Sequence, residues 1–227
     1  MLYFVLAESA LELVPEGIRK RPAVVSDAKR RQKEASAILL DRSFHHSAMT
    51  KLNDSEKRGR PDLVHVTLLD VTGTPLYLDG SVRILVHTYD DVVLEIAEKT
   101  RIPKNYIRFR GLMEETLEER PKQGLIRVHS MDIKELIRKI STDKVYGLTV
   151  QGKMTPLEEL AEMITANKNP CIMVGGFPHG HFSTETLSAM DQLVRINARP
   201  LEAHVVASRV IYEVENAEVG STIKSAS

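Results

Sequence analysis

Tryptophan is absent, and aromatic residues make up only 5% of the 227-residue chain. A core built from such a chain has to be mostly aliphatic, as in parallel α/β sheets buried on both faces. Cysteine occurs once, at Cys171. That excludes a disulfide framework within one chain and fits a reducing, intracellular compartment. Inside the apolar run Pro170-Cys171-Ile172-Met173-Val174 the thiol is expected to act as a small buried hydrophobe. Net charge is zero, with 31 basic and 31 acidic residues. A nucleic-acid surface therefore has to come from local clustering of cations. No apolar stretch approaches the roughly 20 residues of a membrane span. The opening Met1-Leu2-Tyr3-Phe4-Val5-Leu6-Ala7-Glu8 meets an acid too soon for a signal peptide. A cytoplasmic protein with no membrane partner is expected. HExxH, CxxC and a Cys/His quartet are missing, so no metal is expected and the eight histidines are assigned to surface, core or hydrogen-bond roles.

What is present is a 42% hydrophobic composition, enough for a sizeable core, and a recurring strand-helix alternation without internal repeat. Residues 3–7 read as a strand and 10–25 as a loop. Residues 28–51 read as one helix with Ala35, Ile38, Leu39 and Phe44 on its apolar face, and its run Lys29-Arg30-Arg31-Gln32-Lys33 as a solvated face. A loop follows over 53–59. Pro61 opens a helix through Val64, Leu68 and Leu69, with Asp62 complementing its dipole. Residues 82–87 and 92–96 read as a hairpin turning at Tyr89-Asp90-Asp91. A helix is expected from Pro103 through Ile107, Leu112 and Leu117. Strands are expected at 125–128, 145–150 and 170–174, with a helix on the spacing of Ile133, Leu136, Ile137 and Ile140 between the first two. Thr155-Pro156-Leu157-Glu158 reads as a Thr-capped helix start, and 201–215 as a closing helix. Alternation of this kind predicts a mostly parallel α/β sheet flanked by helices.

Four segments carry chemistry. Val174-Gly175-Gly176-Phe177-Pro178-His179-Gly180 follows a buried strand, where open α/β sheets bind ligands. Taken alone it is equally a tight strand-to-loop turn, and the missing Lys-Ser/Thr ending excludes a phosphate loop. Arg195-Ile196-Asn197-Ala198-Arg199-Pro200-Leu201-Glu202-Ala203 is a loop leading at once into a helix whose free amides could face a ligand, or it is an ordinary connection. Arg60 stands two residues before Asp62, a carboxylate able to fix its guanidinium; the alternative is an exposed ion pair of little worth. Arg101, Lys104 and Arg108 are spaced i, i+3, i+7, which on a helix makes one cationic stripe able to track phosphates, or a solvated face.

In this order the segments resemble the small-subunit ribosomal RNA pseudouridine methyltransferases of archaea and eukaryotes, in the SPOUT superfamily. The matching stretches are Leu40-Asp41-Arg42-Ser43-Phe44-His45-His46, Arg60-Pro61-Asp62, Val86-His87-Thr88, Thr100-Arg101-Ile102-Pro103, Arg108-Phe109-Arg110-Gly111-Leu112-Met113, residues 175–180 and the last helix. The resemblance covers nearly the whole chain. It implies a single SPOUT domain over 1–227, with a cofactor-binding trefoil knot in about 145–215 and an RNA-binding insertion in about 55–115. It implies a homodimer that uses S-adenosylmethionine to methylate ring nitrogen 1 of a pseudouridine in a small-subunit rRNA hairpin loop. It also implies a role in small-subunit assembly, with ribosomal proteins or assembly factors as further partners. Carried over by position, Gly175, Gly180, Ile196, Asn197, Ala198, Arg199, Pro200 and Leu201 hold the cofactor. Arg60, Arg101, Lys104 and Arg108 contact RNA; Lys104 stands where the family often has arginine and loses bidentate geometry. Arg60 is the catalytic candidate, near the base edge. Asp62 either orients it or takes the proton, and orientation is favoured because a carboxylate paired to arginine is a poor base. A non-catalytic rRNA-binding assembly factor is the alternative function.

Overall fold

The computed structural model describes residues 1–226, with side chains through Glu218. In chain order the elements are β1 (Leu2–Ser9), α1 (Pro22–Arg31), α2 (Arg42–Met49), α3 (Pro61–Thr72), α4 (Pro75–Leu78), β2 (Val82–Thr88), β3 (Val92–Ile96) and α5 (Tyr106–Glu119). They continue as β4 (Ile126–Ser130), α6 (Ile133–Ile140), β5 (Lys144–Met154), α7 (Leu157–Thr165), β6 (Pro170–Gly175), α8 (Thr184–Ser188), β7 (Gln192–Arg195) and α9 (Ala203–Ala226). One seven-stranded sheet runs β4-β3-β2-β1-β6-β5-β7. From β2 to β7 all neighbours are parallel. The β2–β3 hairpin and β4 add an antiparallel edge. The expected mostly parallel sheet is thus what forms.

The central strands carry apolar residues on both faces, as the composition requires. Phe4 and Leu6 of β1 pack with Ile84, Ile172, Leu160 and Val210 on one side, beneath α3, α7 and α9. Val5, Ala7, Met173 and Cys171 pack with Leu136 and Ile133 of α6 on the other. Cys171 is fully buried, and burial pushes its thiol well above the ordinary range. Among the described residues no helix is long and apolar enough to cross a membrane.

Four expectations fail, wholly or in part, for local reasons. The single helix over 28–51 is two helices. Gln32 ends α1 in the left-handed region at φ 53°, and Asp41 caps α2 by accepting the Ser43 amide at 2.9 Å. The basic run is solvated at Lys29, Arg30 and Gln32 but not throughout: Arg31 and Lys33 ion-pair with Glu114 of α5, whose side chain is 0% exposed. The helix expected at Pro103 starts at Tyr106. The Pro103 carbonyl lies 2.7 Å from His65 Nε2, and Asn105 caps α5 through the Arg108 amide. Thr155 does not cap α7. Its amide is still held by the Arg195 carbonyl at 3.0 Å, in the ladder between β5 and β7, and the cap position passes to Pro156.

Glu114 is the clearest energetic test of this packing. Burial pushes its carboxyl upward, but hydrogen bonds from Arg31, Lys33 and the Leu39 amide outweigh burial and hold it below its ordinary value of 4.5. Such a group stabilises the fold above the unfolded value and loses that contribution as pH falls through the folded value. Glu114→Ala leaves the mostly buried Arg31 with only its longer pair to Asp27 and should cost about 3 kcal/mol in urea unfolding at pH 7. Glu114→Gln should flatten the acid limb of stability against pH below about 4.5.

Candidate active site

β6, β5 and β7 are adjacent and parallel, so their carboxyl ends open on one side. There a cleft of about 570 Å³ lies between residues 174–182 after β6, residues 195–203 after β7, and Leu148, Thr149 and Val150 of β5, with Arg60 and Leu63 at its rim. β5 is irregular here. Leu148 and Lys153 both pair with Val194, so the residues between them bulge from the ladder into the cleft wall. Gly152 permits the bulge: a Cβ there would lie 2.4 Å from the Val194 amide nitrogen.

The loop after β6 is held from below by β1. The Gly176 amide donates to the Ala7 carbonyl and the Ala10 amide to the Gly176 carbonyl, each at 2.8 Å. A Cβ on Gly176 would meet Ser9 Cα at 2.8 Å, so only glycine allows this approach. Glu8, at φ 49°, places its carboxylate between two further segments. It accepts the Ser183 amide at 2.8 Å and Lys57 Nζ at 2.9 Å. Burial pushes the Glu8 carboxyl upward, yet Lys57, the Ser183 amide and nearby hydroxyls bring it below the ordinary range. Lys57 also sits 4.8 Å over the Phe177 ring and packs beside Gly180 at φ +95°.

Arg60 enters the rim from the start of α3. Its amide donates to the Ala10 carbonyl at 3.2 Å. Its Nε and Nη2 each donate to an Asp62 oxygen at 2.8 Å, a bidentate pair that raises the guanidinium's pKa, with burial opposing. The neighbouring Arg58 makes a separate, buried bidentate pair with Glu12. Glu202 completes the negative charge near Arg60.

Of the residues singled out from sequence, Arg60, Gly175, Gly180, Ile196, Asn197, Arg199, Pro200 and Leu201 line the cleft; Ala198 does not, and Asp62 stands behind Arg60. Arg101 and Lys104 precede α5 and only Arg108 lies on it, so the three cations do not form a helical stripe. They are exposed, and among the described residues none has a carboxylate partner within ion-pair distance. The loop bearing Arg101 and Lys104 is tied to α3 by His65, whose ring stacks on Phe109 at 4.3 Å while its Nε2 meets the Pro103 carbonyl. The Tyr106 hydroxyl donates to Asp41 at 2.7 Å, joining α5 to α2; burial, then Asp41, pushes its pKa far upward. Glu8, Lys57, His65 and Tyr106 were not singled out. Glu8 alone gave a signal, as an acid ending an apolar strand.

The model of the family described as EMG1/NEP1 methyltransferase matches residues 4–215. The chain belongs to this family. Relatives named Ribosomal RNA small subunit methyltransferase Nep1 include that of Thermococcus kodakarensis, 40% identical over 96% of this chain and 99% of the relative. The Staphylothermus marinus protein of the same name is 42% identical over 93% and 94%. The crystal structure of Archaeoglobus fulgidus Nep1 bound to S-adenosylhomocysteine superimposes with a TM-score of 0.84 at 36% identity, covering 95% of this chain and 98% of that one. In this EMG1/NEP1 chain the cleft wall depends on Gly152. Gly152→Ala should drive a methyl into backbone that cannot yield and cost about 2 kcal/mol or more in urea unfolding. Gly17→Ala, where a Cβ meets nothing within 4 Å, should be near neutral.

Proposed function

We propose that this EMG1/NEP1 chain is a homodimeric methyltransferase. It transfers a methyl group from S-adenosylmethionine to ring nitrogen 1 of a pseudouridine in a hairpin loop of small-subunit ribosomal RNA, in the cytoplasm, and assists small-subunit assembly. Residues of about 145–215 form its cofactor-binding trefoil knot, and those of about 55–115 its RNA-binding insertion. The observation that carries the proposal is the meeting of the two at one cleft. Both loops of the first segment line it, and Arg60 of the second stands at its rim.

The residues present fit S-adenosylmethionine. The cleft volume falls in the range of cofactor pockets, roughly 300–1,000 Å³. Arg195 lines it with a buried Nε that has no partner among the described residues. Backbone of Gly175, Gly180 and Ile196–Leu201 can approach an adenosine and its carboxylate, and the Archaeoglobus fulgidus relative binds S-adenosylhomocysteine. When bound, the sulfonium supplies an electrophilic methyl, so no covalent enzyme intermediate is needed. The protein orients the base in line with that methyl. A base in a hairpin loop can be splayed into such a cleft at modest cost. The nitrogen gives its proton to solvent water, and Arg60 donates to the anionic base edge that results. Both Asp62 oxygens are engaged by Arg60, which fits orientation better than proton abstraction. Arg101, Lys104 and Arg108 hold phosphates.

Three variants separate these roles. Gly180→Val, at a positive φ and against Lys57, should weaken S-adenosylmethionine binding at least about tenfold in calorimetry, since only glycine takes this backbone freely. Arg108→Ala should leave that affinity unchanged, weaken hairpin binding and reduce the slope of log affinity against log salt by about 0.7 to 0.9. Arg60→Ala should lower turnover at saturating RNA roughly a hundredfold, more than it lowers binding. Full turnover in Arg60→Ala would make Arg60 one more phosphate clamp. Binding of both ligands with no methyl transfer by the unaltered protein would favour the assembly-factor alternative.

A further inference from the structure

α1, α2 and α5 converge on one aromatic side chain that the proposed chemistry leaves unused. α2 turns His45, Ala48 and Met49 inward, which puts Phe44 outward, 39% exposed in a chain with few aromatics. The Arg30 guanidinium carbon lies 4.8 Å from the Phe44 ring centroid and that of Arg110 6.0 Å away. Arg110 Nε is buried and has no partner among the described residues. One turn before Arg110 on the same face of α5, Ile107 is 66% exposed, and the Gly111 position opens onto empty space.

Charge on this face is of one sign. The acids beside it are already engaged: Asp27 by Arg30 and Arg31, Glu114 by Arg31 and Lys33, Asp41 by Tyr106 and the Ser43 amide. Arg42, Arg108 and Arg110 pair with no carboxylate among the described residues. The face is continuous with the rim of the cleft, because the Arg42 amide donates to the carbonyl of Gly59, the residue before Arg60, at 2.8 Å.

An exposed ring flanked by guanidinium planes and rimmed by unpaired cations matches what a single RNA strand needs, a surface to stack on and charge for its phosphates. We propose that Phe44, with Arg30 and Arg110, is a stacking platform for one unpaired base of the bound RNA, adjoining the Arg60 rim. This rests on the RNA-binding part of the proposed function. The platform makes α1 and α2, and not only residues 55–115, part of the RNA surface.

The test compares two probes of equal charge at low salt: a 12-nucleotide oligouridylate, and an abasic ribose-phosphate strand of the same length. Phe44→Leu keeps apolar bulk and removes the ring. It should weaken oligouridylate binding about tenfold and leave the abasic strand within about twofold, since stacking on an aromatic is the term removed. Phe44→Trp should restore oligouridylate binding. Equal weakening for both strands would mean that Phe44 only props the arginines, and overturns the proposal, as does unchanged binding of both. If the unaltered protein binds neither strand, the RNA-binding part of the proposed function falls, and the platform with it.

Discussion

The carboxylate of Glu8 holds the two halves of the cleft together. It sits where the central strand β1 ends, and its two oxygens take a backbone amide from the loop after β6 and an ammonium from the segment leading to Arg60. A carboxylate this buried persists as an anion only because those donors replace water. Release either donor and one Glu8 oxygen is left buried without its partner. Lys57 adds to the coupling by lying over Phe177, so one cation touches strand end, Gly-rich loop and Arg60 segment at once. The Gly-rich loop and the Arg60 segment are therefore parts of one polar knit, although about 120 residues of chain separate them.

A second set of contacts orders the cationic face. Asp41 caps α2 and receives the Tyr106 hydroxyl from the first turn of α5. His65 of α3 reaches the Pro103 carbonyl in the loop that carries Arg101 and Lys104. Glu114 draws Arg31 and Lys33 inward, onto the inner side of α5. Each interaction is buried or half-buried, and each spends a polar side chain on position. Arginines left without carboxylates can then face outward on rigid elements, and the entropy of ordering them is met by packing and not by the ligand.

The sheet was legible in sequence because buried parallel strands are continuous aliphatic runs. Residues 170–174 and 82–87 cannot be much else in a chain so poor in aromatics. The hairpin at Tyr89-Asp90-Asp91 and the helix start at Pro61 were legible as local turn and first-turn chemistry. The break after Arg31 was not. Nothing in Lys29-Arg30-Arg31-Gln32-Lys33 marks Gln32 as left-handed, and its partner Glu114 lies 83 residues from Arg31. Short β7 was missed because four residues carry no periodicity; its backbone is held by β5. At the site, the glycines and Arg60-Asp62 were readable from spacing and from family resemblance. The apparent stripe 101-104-108 misled because helical spacing was assumed across Pro103, whose carbonyl serves His65 instead. Glu8, Lys57 and Tyr106 work through distant partners, which a single sequence does not display.

In the proposed function the cleft joins a methyl donor to a small-subunit rRNA base under Arg60. The most direct measurement is nucleoside mass spectrometry of small-subunit rRNA hairpins incubated with the purified protein and S-adenosylmethionine, made with uridine or with pseudouridine at the loop positions. The account predicts one added methyl on the pseudouridine base, at ring nitrogen 1, and none on the uridine hairpins. A methyl on uridine or on a ribose hydroxyl, or no methyl on any hairpin, would contradict it.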